Sequence, residues 1–315
     1  MTWVTWVIAA LCAAAVGARL GRLTVRPPSL ARSSVAVAAV AVAAAAAVRT
    51  PTVALILGPV GSNAAVLTFV GCWVVVATAT ALIALSALPK LGARPLGAAA
   101  VAVSALAVAD VVAMAVTGET MIGALFIVLS GIFSIGVGLR YAAWNPLGRA
   151  IAFYLFGLAI MVAVLVVAPT EVEPMSGWWA AAIIILSAAC CSVMVESWAV
   201  ARLDLRRTVD LHRALIAAHP ELADPDYRSA TPVLQANDRV SEILDGLYLH
   251  AGAGLVPAEG SEQSTERPRA RARQIARWLK EDEVTLIDPD VLSTPDGVSD
   301  RAWVRLIARE FDRTP

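Results

Sequence analysis

The side chains most able to do chemistry in this sequence are two acids that lie within long apolar stretches. Asp110 stands among Ala and Val residues, seven positions before Thr117, where its apolar stretch ends. In a helix, this spacing would place Asp110 about 10 Å from that end. A charge in hydrocarbon costs at least ~2.5–3.5 kcal/mol, so such a residue is a functional candidate. It could relay a proton or a cation, and the alternative is a protonated or water-solvated carboxyl group bonded to a neighbouring Ser or Thr.

Glu196 is the second acid of this kind, and it lies near the charged end of the last apolar stretch. Arg140, Arg149 and Arg202 flank apolar stretches and could each form an ion pair with it. If Glu196 instead faces a water-filled cavity, it would be the second half of a proton path that begins at Asp110. The two acids together are the predicted intramembrane polar site.

A basic run near the carboxyl end is a further candidate and consists of Arg267, Arg269, Arg271, Arg273 and Arg277. An anionic leaflet attracts clustered arginines by roughly 1 kcal/mol per charge, so contact with lipid is one interpretation of the run. The alternative is a solvated helix face. Nucleic acid is not expected as a partner, because the polar part of the chain that carries the run holds 20 Asp or Glu against 16 Lys or Arg.

The remaining reactive residue types do not form a recognisable site. His212, His219 and His250 have no Cys or His at the spacing of metal ligands. All four cysteines lie in apolar stretches, where a thiol usually serves as a small buried group. No Walker loop, nucleophile elbow or dinucleotide fingerprint is present. We therefore predict no metal, no cofactor, no disulfide and no enzymatic activity.

The charges are distributed unevenly and divide the chain into two parts. Among its 315 residues, the first 200 hold nine Lys or Arg and five Asp or Glu, whereas the rest hold 16 and 20. The net charge of zero therefore cancels a basic, apolar part against an acidic, polar part. We predict a transmembrane domain over residues 1–202 and a cytosolic helical domain, continuous with the last span, over residues 203–315.

The apolar part contains seven stretches near the roughly 20 residues that an α-helix needs to cross about 30 Å of hydrocarbon. They are residues 3–18, 33–48, 63–88, 96–116, 120–139, 150–168 and 178–202. The second stretch is short and rich in Ala, so six spans are the alternative. The predicted fold class is an all-α membrane protein, in which a seven-helix transmembrane bundle precedes a small, mainly helical cytosolic domain.

The connections between the stretches alternate in charge, and this pattern predicts their orientation. The first, third and fifth connections each carry at least two Lys or Arg, the second carries one, and the fourth and sixth carry acids. Because short cytoplasmic loops accumulate Lys and Arg, we predict an amino terminus outside and a carboxyl terminus inside a bacterial inner (plasma) membrane. The opening MTWVTW lacks the basic region of a secretory signal, so the first span is expected to remain in the protein.

The last span is predicted to continue beyond the membrane as one helix. Residues 178–219 contain neither Gly nor Pro, and at 1.5 Å per residue they would form a rod of about 63 Å. The part of the rod outside the membrane has an apolar stripe, and residues 233–250 have a stripe of the same periodicity that could cover it. Residues 269–283 and 299–311 predict two more amphipathic helices, the second opened by Ser299 or Asp300 as its cap, and residues 284–297 between them could hold one short strand.

Two segments resemble a known family. The first is VRTPTVALILGPVGSNAAVLTF, in which R-T-P follows the Ala-rich second stretch, and the second is RVSEILDGLYL at residues 239–249. They resemble an actinobacterial family of seven-span integral membrane proteins, described as transporters, that carry a cytosolic domain of unknown function. The resemblance implies an outer-loop landmark and a cytosolic landmark, formed by Arg49, Thr50, Pro51, Arg239, Glu242, Asp245 and Gly246. The family helix usually ends in a basic segment with Pro, whereas here His250, Ala251 and Gly252 follow.

Three functions remain open from the sequence. The first is an integral membrane sensor or regulatory scaffold, which needs no network of charges in the membrane and therefore suits the few polar residues there. The second is a small-solute or proton-coupled transporter that would use Asp110. The third is a phage- or prophage-type exclusion or immunity membrane protein. The expected partners are the lipid bilayer, a cytosolic protein that binds residues 203–315, and further copies of the chain, because rows of small residues favour helix association.

Overall fold

The computed structural model describes residues 2–23, 29–61, 63–89, 92–169, 172–222, 229–252, 267–281, 287 and 289–314. Within these ranges the chain is helical and contains no strand, which confirms the prediction of an all-α protein. The chain divides into two compact units, Met1–Val193 and Met194–Pro315. The predicted domain boundary at residue 202 refers to the membrane surface and stays a prediction.

Among its described residues, the first unit contains seven long α-helices and one short one. They are α1 (Thr2–Leu23), α2 (Leu30–Val48), α3 (Pro51–Leu57), α4 (Ala64–Ser86), α5 (Ala93–Thr117), α6 (Met121–Gly138), α7 (Pro146–Val167) and the first part of α8 (Gly177–Arg207). Each predicted apolar stretch lies in one of the long helices. The short helix α3 was not predicted, because its apolar residues follow Pro51 directly after α2 and are too few for a span.

Six of the described helices are long and apolar enough to cross a membrane, and they are Leu30–Val48, Ala64–Ser86, Ala93–Thr117, Met121–Tyr141, Pro146–Val167 and Gly177–Arg207. The Ala-rich second stretch lies in the first of these. Although α1 is 22 residues long, its described apolar segment, Trp3–Ala14, is shorter than a span. The fold is therefore all-helical, with six helices that could span a membrane.

Small residues bring the helices of the first unit together. The alanines of α2, such as Ala45 at 0 % exposure, pack into the same core as Trp73 of α4. On α6, a Cβ added to Gly131 would lie 2.5 Å from Val162, and one added to Gly138 would lie 2.7 Å from Leu155. These α6 glycines therefore serve contacts with α7 within the chain.

In the part of it that the structure describes, the second unit contains the end of α8 and five further α-helices. They are α9 (Val209–Ala218), α10 (Pro232–His250), α11 (Pro268–Trp278), α12 (Pro289–Leu292) and α13 (Asp300–Phe311). Leu211 and Leu215 of α9 share one core with Ile243 and Leu247 of α10. This packing confirms that residues 233–250 form a helix that covers the apolar stripe beyond the last span.

The region after α10 is described in part. Residues 253–266 lie outside the described residues, as do residues 284–286 and 288 of the segment for which a short strand was predicted. The described part of that segment contains helix α12 and no strand. Ser299 caps α13 by accepting a hydrogen bond from the backbone N–H of Ala302 at 3.4 Å. The prediction that α13 starts at such a cap is therefore confirmed.

Candidate functional site

The helix that carries the last apolar stretch ends at Thr208, whose hydroxyl and backbone N–H both donate to the carbonyl oxygen of Asp204, at 2.8 and 3.0 Å. Thr208 has φ −102° and ψ 5° and separates α8 from α9. A Thr side chain that bonds to the carbonyl four residues earlier tends to bend a helix. The prediction of one unbroken helix over residues 178–219 is therefore wrong, because the backbone leaves the helical conformation at Thr208 although neither Gly nor Pro is present.

Asp204 lies one turn before this break and is 3 % exposed. Its Oδ2 is 2.8 Å from Nε of Arg301, and its Oδ1 is 3.0 Å from Nε of Arg305. The N–H directions do not give hydrogen-bond geometry, so both contacts are close ion pairs. The two arginines lie four residues apart and so share one face of α13. A buried carboxylate thus ties the end of α8 to α13.

Helix α10 contacts the same end of α8. Arg239 donates from Nη1 to the carbonyl oxygen of Leu205 at 2.9 Å. Leu205 is in the last turn of α8, where carbonyl groups lack partners within the helix, so Arg239 supplies a cap. Arg239 of α10 and the two arginines of α13 therefore hold adjacent residues of α8.

Two further residues of α10 face α9. Glu242 Oε2 lies 2.7 Å from Nε2 of His212. A Cβ added to Gly246 would lie 3.0 Å from Cδ1 of Leu222 and 3.4 Å from Leu215, so Gly lets the two helices approach closely. Arg239, Glu242 and Gly246 therefore share one face of α10, as their spacing of three and four residues requires.

The other landmark residues implied by the family resemblance lie apart from this face or in the first unit. Asp245 of α10 is exposed. Arg49 and Thr50 are 6 % and 1 % exposed, and Pro51 begins α3. Arg49 donates from Nη2 to the carbonyl oxygens of Met175 and Ser176, at 3.4 and 3.2 Å. Arg49 thus fastens the α2–α3 turn to the segment that precedes α8.

We define the junction cluster as Asp204, Leu205, Thr208, Arg239, Arg301 and Arg305. All of its members belong to the second unit, and they join α8, α10 and α13 around the helix break. Sequence reasoning missed Asp204 and its two arginines. Arg301, Arg305 and Arg309 recur every fourth residue on an amphipathic helix, and this row was the signal that could have revealed a charged face.

Part of the predicted basic run forms an internal network instead of a uniform surface. Arg269 and Arg273 reach Glu310 of α13 at 3.0 and 3.3 Å, although the Glu310 side chain is only 4 % exposed. Burial alone would raise the pKa of Glu310, but the hydrogen bonds and charges of Arg269 and Arg273 outweigh it and hold that pKa below its usual range. These two arginines therefore connect α11 to α13.

Arg271 differs from its neighbours because it is 5 % exposed. Its Nη2 donates to the carbonyl oxygens of Asp290, Val291 and Ser293 at 2.6, 2.9 and 2.7 Å. Its guanidinium also lies 5.4 Å from the ring centre of Trp303. Arg271 is thus an internal support for the segment around α12, an environment that does not fit contact with lipid. Arg267 and Arg277 are exposed, so contact with lipid stays a prediction for these two arginines.

The two predicted intramembrane acids lie in different units and in different surroundings. Asp110 on α5 is 6 % exposed, and its Oδ2 has no hydrogen-bond partner among the described residues. It shares one face of α5 with the buried residues Ala107 and Met114. Glu196 on α8 is half-buried and has a polar contact of its own. Asp110 therefore keeps the features expected of a functional intramembrane acid.

The structure also brings together two histidines that sequence spacing kept apart. His219 Nε2 lies 3.3 Å from His250 Nδ1, and the His250 ring packs edge-on against Trp278 at 4.8 Å between ring centres. Burial, and next the charge of His219, lower the pKa of His250 below its usual range. No group of three His, Cys, Asp or Glu that could hold a metal occurs within the described ranges.

The fold and the site together have the pattern of a multi-pass membrane protein, with six helices that could span a membrane and a polar helical unit joined to the last of them. Comparison with protein-family models, with curated proteins and with solved structures finds no match to this chain.

Proposed function

We propose that this protein is a regulatory membrane protein, a sensor or scaffold in which α8 passes changes in the packing of the membrane helices to the helices of the second unit. We further propose that it resides in a bacterial plasma membrane and belongs to the actinobacterial family that it resembles. The observation that carries the proposal is the ion-pair contact of buried Asp204, on α8, with Arg301 and Arg305 of α13.

The physical argument begins with the chemistry of the junction cluster. The attraction of an ion pair weakens as the two charges separate, so a rotation or shift of α8 by a fraction of a helical turn would change the energy of the contacts of Asp204 with both arginines. An uncompensated buried charge is costly, so α13 would have to follow α8 or release it. A two-state element of this kind is what a signal across a protein requires.

The proposed topology has seven spans, with the amino terminus outside and the carboxyl terminus inside. Helix α1 has 22 residues and would rise about 33 Å, close to the hydrocarbon thickness. Cys12 of α1 is buried and shares a hydrogen bond of 2.9 Å with Ser187 of α8, so α1 packs within the first unit. Seven spans place the two termini on opposite sides of the membrane, in agreement with the alternation of basic connections.

The proposal is tested by hydrogen exchange on the full chain in nanodiscs. Short-chain dimyristoleoyl and long-chain dierucoyl phosphatidylcholine impose different hydrocarbon thicknesses, which tilt and repack spanning helices. We expect the amides of α13 to exchange at different rates in the two lipids. In the variant Asp204→Asn this difference should disappear, because the link between α8 and α13 has lost its charge.

The matched control is Asp210→Asn, which removes an exposed ion pair with Arg213 on α9. This variant should keep the lipid dependence of the wild type, since exposed pairs contribute little. Equal exchange of residues 208–314 in both lipids, in the wild-type protein, would overturn the proposed coupling.

Transport is the second candidate function, and the buried, unpartnered Oδ2 of Asp110 favours it. A proton-coupled carrier exposes such a carboxylate to each side in turn. The test is proton flux into proteoliposomes, recorded with an internal pH dye, for the wild type and for Asp110→Asn. A transporter would show flux that the substitution abolishes, whereas the regulatory proposal expects no flux from either protein.

A further inference from the structure

A cavity of about 580 Å³ lies on the second unit, and one of its lining residues, Arg305, also contacts Asp204. Its lining consists of Arg207, Ala302, Arg305, Leu306, Arg309 and Asp312. Five of these residues come from α13 and the segment that ends it, at spacings of three and four positions that place them on one helix face. The sixth, Arg207, is the last residue of α8.

The lining carries a net positive charge. Three guanidinium groups converge on the cavity, against the single carboxylate of Asp312. Like charges held together repel one another, so this arrangement is stabilised when an anion lies between them. Arg305 is held by Asp204 through Nε. Arg207 and Arg309 are exposed and can adjust to a bound anion.

The chemistry of the lining selects a class of ligand. A guanidinium group presents a planar fork of N–H donors that matches the oxygens of a phosphate group, and several arginines around one cavity are a recurring phosphate site. The volume falls within the range of roughly 300–1,000 Å³ that is typical of small-ligand sites. Ala302 and Leu306 add an apolar patch that can contact the non-phosphate part of the ligand.

We propose that this cavity binds a phosphate-bearing anion, held by Arg207, Arg305 and Arg309. The phosphate can come from an anionic lipid headgroup or from a soluble phosphate compound. The lipid source is physically accessible because Arg207 follows the apolar part of α8, which ends near Val200, by only about 10 Å along the helix axis. The site requires no signal through α8 and therefore stands independently of the regulatory proposal.

The test has two arms, both on the full chain in nanodiscs or micelles. In the first arm, inorganic pyrophosphate is titrated calorimetrically into protein in phosphatidylcholine nanodiscs. In the second arm, native mass spectrometry counts phosphatidylglycerol retained from micelles with equal amounts of phosphatidylglycerol and phosphatidylcholine. The variants Arg207→Gln and Arg309→Gln should weaken binding about tenfold each, because a hydrogen bond to a charged group is lost.

Arg213→Gln is the matched control, since Arg213 is exposed on α9 and does not line the cavity. It should bind as the wild type does in either arm. Binding of pyrophosphate alone identifies a soluble phosphate compound, retention of phosphatidylglycerol alone identifies a headgroup, and binding of both identifies the shared chemistry. Absence of binding in both arms, or an equal loss in the control variant, overturns the proposal. The exposed arginines of these variants make few internal contacts, and unchanged hydrogen exchange of α13 verifies that each variant is folded.

Discussion

Oδ2 of Asp204 lies 2.8 Å from Nε of Arg301, so the end of the last apolar helix and the carboxyl-terminal helix share a buried ion pair. The same carboxylate contacts Arg305 at 3.0 Å. One acid therefore fixes two positions of α13 relative to α8. Because the acid is 3 % exposed, water cannot readily replace either arginine.

Asp204→Ala should loosen α13. It leaves two arginines without their partner at a site where burial is costly, and because both arginines are partly exposed we expect a loss of about 1–3 kcal/mol. This corresponds to roughly five- to 150-fold faster exchange of the α13 amides. Asp210→Ala, which removes an exposed pair, should leave these amides unchanged. Unaltered α13 exchange in Asp204→Ala would show that the ion pairs do not hold the helix.

Thr208→Ala should make the junction between α8 and α9 more helical. The substitution removes the hydroxyl that bonds to the carbonyl oxygen of Asp204, and Ala has a helix propensity about 0.5 kcal/mol better than Thr. The amides of residues 208–212 should therefore exchange about twofold more slowly. Thr208→Ser keeps the hydroxyl and should exchange like the wild type. If the amides of Thr208→Ala and Thr208→Ser exchanged at identical rates, the hydroxyl would not be the cause of the break.

Gly246→Val should separate α9 from α10. A Cβ at this position already lies 3.0 Å from Leu222 and 3.4 Å from Leu215, so a branched side chain overpacks the contact at a cost of about 1–3 kcal/mol. Faster amide exchange across α9 would report this loss. Gly246→Ala should be much milder, because the end of Leu222 can move and Ala favours the helix. If the α9 amides of Gly246→Val exchanged at the wild-type rate, this would contradict the close approach of α9 and α10 at Gly246.

Glu310 should make the second unit sensitive to acid. Its pKa is lowered in the folded protein from the usual 4.5, since the bonds from Arg269 and Arg273 outweigh burial. A lowered carboxyl pKa gives stability that is complete above the unfolded pKa and is lost as the pH falls through the folded pKa. Exchange protection of α11 and α13 should therefore decline below about pH 4. In Glu310→Gln that part of the decline should be absent, and an unchanged acid profile would contradict the assignment.

His250 should also make the second unit less stable as the pH falls, but at a higher pH than Glu310 does. Its pKa is lowered from 6.5, first by burial and then by His219. The unfolded chain then binds more protons than the folded one, so stability is complete above the unfolded pKa of about 6.5 and declines as the pH falls below it. Exchange at the carboxyl end of α10 should be faster in mild acid than at neutral pH. His250→Gln should lack this dependence, and a flat profile in the wild type would contradict it.

Helical periodicity and hydropathy predicted most of the fold from sequence. The seven apolar stretches became helices, and residues 233–250 became α10, because burial on one face repeats every three to four residues. Helix α3 was missed because its seven residues, Pro51–Leu57, are too few for a span and resemble a loop between spans. The break at Thr208 was missed because it is a change of backbone angles at a single residue, which the periodicity of the side chains does not reveal.

The site was less predictable, for a geometric reason. Asp204 and Arg301 are far apart in sequence, and only packing of the second unit brings them together. The basic run illustrates the opposite case: in a helix, Arg269 and Arg273 share a face, whereas Arg271 points away from them. The helical period alone could therefore have distinguished the buried Arg271 from Arg269 and Arg273, which lie on another face of the helix.

The side of the membrane on which residues 208–315 lie tests the whole account most directly. Alkaline phosphatase and green fluorescent protein are each fused to residue 315 and expressed in a bacterial host. Fluorescence without phosphatase activity is the predicted result, because the carboxyl terminus would then lie in the cytoplasm after seven spans. Phosphatase activity without fluorescence would place the second unit outside the cell and contradict the proposed orientation.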